Sequence, residues 1–332
     1  MADATAKDTV QEEASLKPDD VLRATRQIQR ITANIAKVVF GKDDVIRRVL
    51  AALMANGHVL LEDVPGVGKT MLARALARSI AAKFTRIQFT PDLLPADVTG
   101  STVFNQKTGE FSFNAGPVFT NILLADEINR TSPRTQSSLL EAMEERQVTV
   151  DGVSHPLPSP FFVAATQNPI EHQGTYDLPE AQLDRFLMRL QIGYPGASEE
   201  ADILEEQRIT HPIEEISSVT TLEELGEFQQ FSRRVFIKPS LRDYIVRLST
   251  ETRSHPDVLV GASIRGSLGL MRTAQAWALI DGRDYVTPDD IKAMALVVLA
   301  HRIIMLPSAQ LAGVKPSGVV EGILRKVPVP VQ

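Results

Sequence analysis

Apolar and polar positions along this chain repeat with two different periods, and each change of period marks an element. Val59-Leu60-Leu61, Ile122-Leu123-Leu124-Ala125 and Phe161-Phe162-Val163-Ala164-Ala165 are short, unbroken apolar runs, the pattern of strands covered on both faces of a sheet. Phe84 to Phe89 alternates, and Leu187 to Ile192 reads as a last strand. Between these runs the apolar residues return at three- and four-residue spacing. Examples are Met71, Leu72, Ala75, Leu76 and Ile80, then Leu139, Leu140 and Met143. That spacing predicts amphipathic helices. Strands alternating with helices predict an α/β core, a parallel sheet flanked by helices. Two further helices, about Asp20–Lys37 and Asp43–Asn56, are expected ahead of the first strand.

Two stretches break the alternation. Thr99 to Phe119 carries short alternating runs punctuated by Gly100, Gly109 and Gly116, and Gln147 to Ser154 alternates about Asp151-Gly152. Both are predicted to be inserted β-hairpins. Beyond Tyr194-Pro195-Gly196 the pattern becomes helical only. Helix starts are expected at Thr221-x-x-Glu224, Ser240-x-x-Asp243 and Thr287-Pro288-Asp289-Asp290, with a further helix over 264–281. Four regions result: an acidic, disordered tail over 1–20, an αβα domain over 21–195, an all-α bundle over 196–305, and a Pro- and Val-rich arm over 306–332. That arm is expected to form an edge strand or to face a partner.

Composition narrows the class. The chain has 332 residues, 43% hydrophobic and 23% charged, which is the balance of a globular protein with room for two domains. No apolar run reaches the roughly 18–20 residues of a membrane helix, and the acidic N-terminal stretch lacks the apolar segment of a leader. A cytoplasmic location is the expectation. There is no cysteine, and the six histidines show no metal-ligand spacing. A formal net charge of −6 argues against nucleic acid as a partner.

The chemistry gathers where strands end. Val59-Leu60-Leu61 leads into Pro65-Gly66-Val67-Gly68-Lys69-Thr70-Met71, and a helical pattern follows at once. Strand, glycine loop and helix together aim backbone N–H groups at one spot, which suits a polyphosphate. There Lys69 would reach the β- and γ-phosphates and Thr70 would hold Mg²⁺. The strand over 122–125 ends in Asp126-Glu127, so Asp126 can organise Mg²⁺ and Glu127 can polarise a water. The turn Val38-Val39-Phe40-Gly41 precedes the loop, and Val39 and Gly41 are candidates to wall a purine base. Three residues stay open on spacing alone. Asn168 either orients a water or closes a strand before Pro169, Arg185 pairs locally with Asp184 or acts elsewhere, and Arg265 is a solvated helix charge or reaches a nucleotide.

In this order, these segments resemble the MoxR family of AAA+ ATPases. The carrying stretches are 61–70, Gln88-Phe89-Thr90-Pro91-Asp92-Leu93-Leu94-Pro95, Asp126-Glu127-Ile128-Asn129-Arg130, and 178–186 with Asp184-Arg185-Phe186. The resemblance implies an AAA+ P-loop core with two inserted hairpins and a helical lid. It assigns Lys69 and Thr70 to Walker A, Asp126 and Glu127 to Walker B, and Asn168 to sensor 1. Arg185 becomes the arginine finger acting in trans, and Arg265 becomes sensor 2. It further implies ATP and Mg²⁺ as cofactors, a self-assembled ring of six, and a client complex activated with a von Willebrand factor A domain protein. Asp63 stands where the phosphate-loop motif usually has its first glycine, and Asp177 stands where a proline is expected. A helicase-type motor is the rival, yet the hairpin over 147–156 holds no Lys or Arg for phosphate contacts. A metal-insertion motor like magnesium chelatase is the other alternative.

Overall fold

The computed structural model describes residues 16–107, 109–169, 174–206 and 211–330. Two units divide them: one comprises Arg30–Val49 and Asn56–Gly226, the other the chain up to Gln29, Leu50–Ala55 and the chain from Glu227 onward. Helices α1 (Pro18–Ala36) and α2 (Asp43–Met54) precede β1 (Val59–Glu62). Then come α3 (Lys69–Ser79), β2 (Phe84–Gln88), α4 (Pro95–Thr99), β3 (Gly100–Asn105), β4 (Glu110–Ala115), β5 (Ile122–Asp126) and α5 (Pro133–Glu145). The first unit is completed by β6 (Gln147–Val150), β7 (Val153–Pro156), β8 (Phe162–Gln167), α6 (Glu180–Leu183), β9 (Met188–Leu190), α7 (Ala197–Glu206) and α8 (Pro212–Glu215).

The five strands form one parallel sheet in the order β2-β5-β8-β1-β9. The order follows burial. Every residue of β5 and the first five of β8 are buried, whereas β2, on the edge, is mostly partly buried or exposed. Leu123, Ala125, Val163 and Ala165 pack with Leu139, Leu140 and Met143 of α5 in one core. The predicted α/β core is therefore present, and both hairpins form where expected. β6 and β7 turn through Asp151 (φ 50°) and Gly152 (φ 80°), the pair of left-handed residues a tight hairpin needs. β3 and β4 close at their base on Gly100 and Gly116. A side chain on Gly116 would meet the Val98 carbonyl at 2.4 Å, so the backbones can approach only because it is absent. The two hairpins touch through Phe113 and His155, whose rings stack at 3.9 Å.

His58 pins this unit from within. Its Nδ1 accepts from Val163 N–H at 3.0 Å, which leaves the proton on Nε2 to be donated to the Met143 carbonyl at 3.1 Å. Burial first, then the Arg146 charge, push the imidazole down to about 3, against the pull of the Met143 carbonyl. An unfolded chain takes up this proton near 6.5, so the stability held by neutral His58 is complete above that pH and drains away between 6.5 and about 3. From pH 7 to pH 5 the loss from this group amounts to about 2 kcal/mol. Urea unfolding at both pH values should therefore show a pH dependence smaller by about that amount in His58→Gln. Equal slopes in variant and wild type would refute the assignment.

The second unit contains most of α9 (Leu222–Arg234), then α10 (Pro239–Ser254), β10 (Val258–Val260), α11 (Ile264–Ile280), α12 (Pro288–Leu299), β11 (Ile304–Met305), α13 (Pro307–Leu311) and α14 (Pro316–Lys326). Helices α11 and α12 pack along one another. Arg283 in the turn between them clasps both carboxylate oxygens of Asp290 at 2.7 and 2.6 Å.

Several expectations are corrected here. The helical region does contain strands, because the β-branched and aliphatic runs 258–260 and 304–305 pair antiparallel. The C-terminal stretch forms neither an edge strand nor an extended arm. Pro316 starts a helix that buries Val319, Val320 and Ile323, a spacing that fits one helical face. α10 begins at Pro239 rather than from a Ser240 cap, because proline's fixed φ suits the first helical position. The first helix begins at Pro18, inside the expected tail, and residues 1–15 lie outside the described ones. Residues 196–226 pack with the sheet unit instead of opening the helical one. The Asn34 amide ties them there, donating to Ser79 Oγ at 3.0 Å and to the Ser217 carbonyl at 2.9 Å. Among the described residues no helix is long and apolar enough to cross a membrane.

Candidate functional site

Parallel strands deliver their C-terminal ends to one rim, and the candidate site lies along it. β1 passes into a loop in which Gly66 (φ 88°) and Gly68 (φ 92°) are both left-handed. Open space surrounds the position of either missing Cβ, so the requirement for glycine is one of dihedral angle, not of room. Gly68 caps α3 without any side-chain acceptor. The first amides of that helix are therefore left for a ligand, together with the positive end of its dipole.

Lys69 opens α3 and donates from Nζ to the Asp63 carbonyl at 2.6 Å. Half-burial lowers its ammonium pKa, while Asp126, Asp63 and Glu127 act to raise it. Asp63 explains its own presence at the usual glycine position. Its Oδ2 accepts from the N–H groups of Ile192 and Gly193 at 2.9 and 2.6 Å. The start of the loop is thereby tied to the chain leaving β9.

The two carboxylates at the end of β5 are organised by Thr166. The Thr166 hydroxyl donates to Asp126 Oδ1 at 2.6 Å and accepts from Glu127 N–H at 2.8 Å. Glu127 is left-handed (φ 56°, ψ 51°), a conformation that costs a non-glycine residue about 1–3 kcal/mol. Its Oε2 accepts from Gln88 Nε2 at 2.6 Å and from Arg130 Nη1 at 2.9 Å. Asp126 Oδ2 accepts from Arg86.

A cleft of about 370 Å³ is lined by Pro65, Gly66, Gly68, Lys69, Thr70 and Met71 of the loop, and across from them by Asp126, Glu127 and Asn168. These candidate residues, from three separate stretches of sequence, are brought together. Val67 is not on the lining and is itself buried. Val39 and Gly41 also lie outside the lining. Val39 is buried, and Gly41 (φ 64°) sits so close to Glu199 that a Cβ would come within 2.5 Å of Glu199 Cγ. Arg185 does not line the cleft either, and its Nε lies 2.9 Å from Glu144. Arg265 is in the other unit, exposed on the first turn of α11, where Ser263 caps its N–H.

Arg86 and Gln88 line the cleft and were not foreseen, and neither was Thr166. The first two alternate on β2 opposite Leu124 and Asp126 of β5. Their signal was a pair of polar residues, two apart, on the strand beside the acidic one.

A five-stranded parallel sheet with a glycine loop, an adjoining lysine and a carboxylate pair at one rim defines a P-loop nucleotide-binding protein. Comparison with known proteins narrows that class. Residues 58–188 match the model of the ATPase family associated with various cellular activities (AAA), and residues 250–323 match the AAA lid domain. Chaperone MoxR1 of Mycobacterium tuberculosis is 41% identical over 312 residues, spanning 91% of this chain and 82% of that protein. Uncharacterized protein YeaC of Bacillus subtilis is 55% identical over 299 residues, 90% of this chain and 93% of that one. The crystal structure of a candidate ATPase from Cytophaga hutchinsonii superposes with a TM-score of 0.88 at 39% identity, covering 94% and 98% of the two chains. The chain belongs to the MoxR family of AAA+ ATPases.

Proposed function

We propose that the chain hydrolyses ATP in the cytoplasm as a subunit of a ring, six-membered by resemblance, and uses the cycle to remodel or activate a partner complex. A von Willebrand factor A domain protein is the expected adaptor. The convergence of Lys69, Thr70, Asp126, Glu127 and Asn168 on one cleft carries this reading. In it, the loop amides and Lys69 bind the phosphates. Glu127, once released by Gln88 and Arg130, polarises the attacking water, and Asn168 helps to orient it.

The donors suit Mg²⁺. The Thr70 hydroxyl and the Asp126 carboxylate are hard oxygen ligands, and both line the cleft. Among the described residues no group of three or more His, Cys, Asp or Glu could hold a metal by itself. The ion would therefore be shared with phosphate and water, as is usual for this metal. When bound, it would neutralise charge on the β- and γ-phosphates. Arg185 lies outside the cleft of its own chain, which supports action on a neighbour, and Arg265 on the lid would report nucleotide state.

The test is ATP turnover per subunit against protein concentration. A site completed by a neighbour makes the rate per subunit climb steeply and then level off. A constant rate across the range would overturn the ring, though not the nucleotide site.

A further inference from the structure

The cleft contains a second cation that phosphate binding by Lys69 leaves unexplained. Arg86 projects from β2 with its side chain 49% exposed. It places Nη2 2.6 Å and Nε 3.1 Å from Asp126 Oδ2, while the Asp126 side chain is only 12% exposed. The other carboxylate oxygen, Oδ1, is taken by the Thr166 hydroxyl. Both oxygens of Asp126 thus have protein donors, one neutral and one charged. Resting on Asp126 as a metal-holding residue, we propose that Arg86 is a displaceable counter-ion, a positioning residue that competes with Mg²⁺ for Asp126 Oδ2.

The physical case has three parts. A carboxylate withdrawn from water needs a compensating charge or donors, and Arg86 supplies the charge. Like charges repel at one oxygen, so a metal ion that engages Asp126 Oδ2, directly or through one of its waters, favours release of the guanidinium. The side chain can move, because half of it is in solvent. Without metal, Arg86 stays on Asp126 and, lining the same cleft as Lys69, offsets the carboxylate's repulsion of phosphate. Arg86 therefore strengthens the binding of metal-free nucleotide and weakens the advantage that Mg²⁺ confers. The same Nη2 donates to Gln88 Oε1 at 2.9 Å, and Gln88 Nε2 holds Glu127. Displacement of Arg86 is in this way linked to the restraint on Glu127.

The experiment is equilibrium binding of a fluorescent ATP analogue to the full chain, in EDTA and across a Mg²⁺ titration. Wild type, Arg86→Gln and Arg86→Lys are compared, with Lys69→Ala as control. In Arg86→Gln the ratio of Kd in EDTA to Kd in saturating Mg²⁺ should rise about tenfold, with the Mg²⁺ midpoint lowered. Arg86→Lys keeps the charge but loses the fork, and should fall between the two. An unchanged ratio in Arg86→Gln, with the analogue still bound, overturns the proposal. Should Arg86→Gln fail to fold, an unchanged midpoint in Arg86→Lys does the same. Wild type that binds no better than Lys69→Ala, with or without Mg²⁺, would instead bring down the nucleotide site and this proposal with it.

Discussion

Arg185→Ala is expected to lower ATP turnover by about 10³–10⁵-fold, the span an arginine finger supplies in GTPase systems, while ATP affinity stays near that of wild type. The residue contacts Glu144 at 2.9 Å, with the two side chains 29% and 32% exposed. A single partly exposed pair contributes about 1 kcal/mol, so the variant should fold and melt within a few degrees of wild type. Loss of rate would therefore report chemistry and not unfolding. The sharper measurement is complementation. Lys69→Ala subunits lack a working phosphate loop but retain Arg185, and Arg185→Ala subunits have the opposite defect. Mixing the two should restore turnover at those interfaces where an intact loop meets an intact arginine. Mixtures that stay as inactive as either variant alone would place Arg185 outside the neighbour's site.

Glu127→Gln should reduce turnover by about 10²–10⁴-fold, the usual contribution of a positioned general base. The amide has the shape of the carboxylate, and its oxygen can still accept from Gln88 and Arg130, as Glu127 Oε2 does. The left-handed backbone and its N–H bond to Thr166 do not depend on the side chain. Only the capacity to take a proton from water is removed. Nucleotide binding should persist, so the variant should hold ATP unhydrolysed. Single-turnover hydrolysis measured beside analogue binding separates the two steps. A variant that hydrolyses within a fewfold of wild type would remove Glu127 from the chemistry.

Much of the site was legible because its chemistry is local in the chain. The loop from Pro65 to Met71 and the pair Asp126-Glu127 each sit where an apolar run stops, and a buried strand has one end at which polar groups can emerge. The partners that orient these residues were not legible in the same way. Thr166 reads as the polar end of a strand, and nothing in its neighbours says that its hydroxyl bridges Asp126 and Glu127. Arg86 and Gln88 look like ordinary edge-strand polarity until β2 is set beside β5. The C-terminal helix was missed for a different reason. Its Pro and Gly content suggested an irregular arm, although Val319, Val320 and Ile323 already had the spacing of one buried face.

Periodicity and strand-end chemistry were sufficient to establish the alternating α/β core, both hairpins and the phosphate loop, since each depends on contacts within a few residues. Strand order, the tie from Asp63 to Gly193, the neutral His58 and the chain of donors from Arg86 to Glu127 depend on residues about 40 to 130 positions apart. Such pairings follow from which faces can be buried together, a property of the packed sheet that no single segment contains.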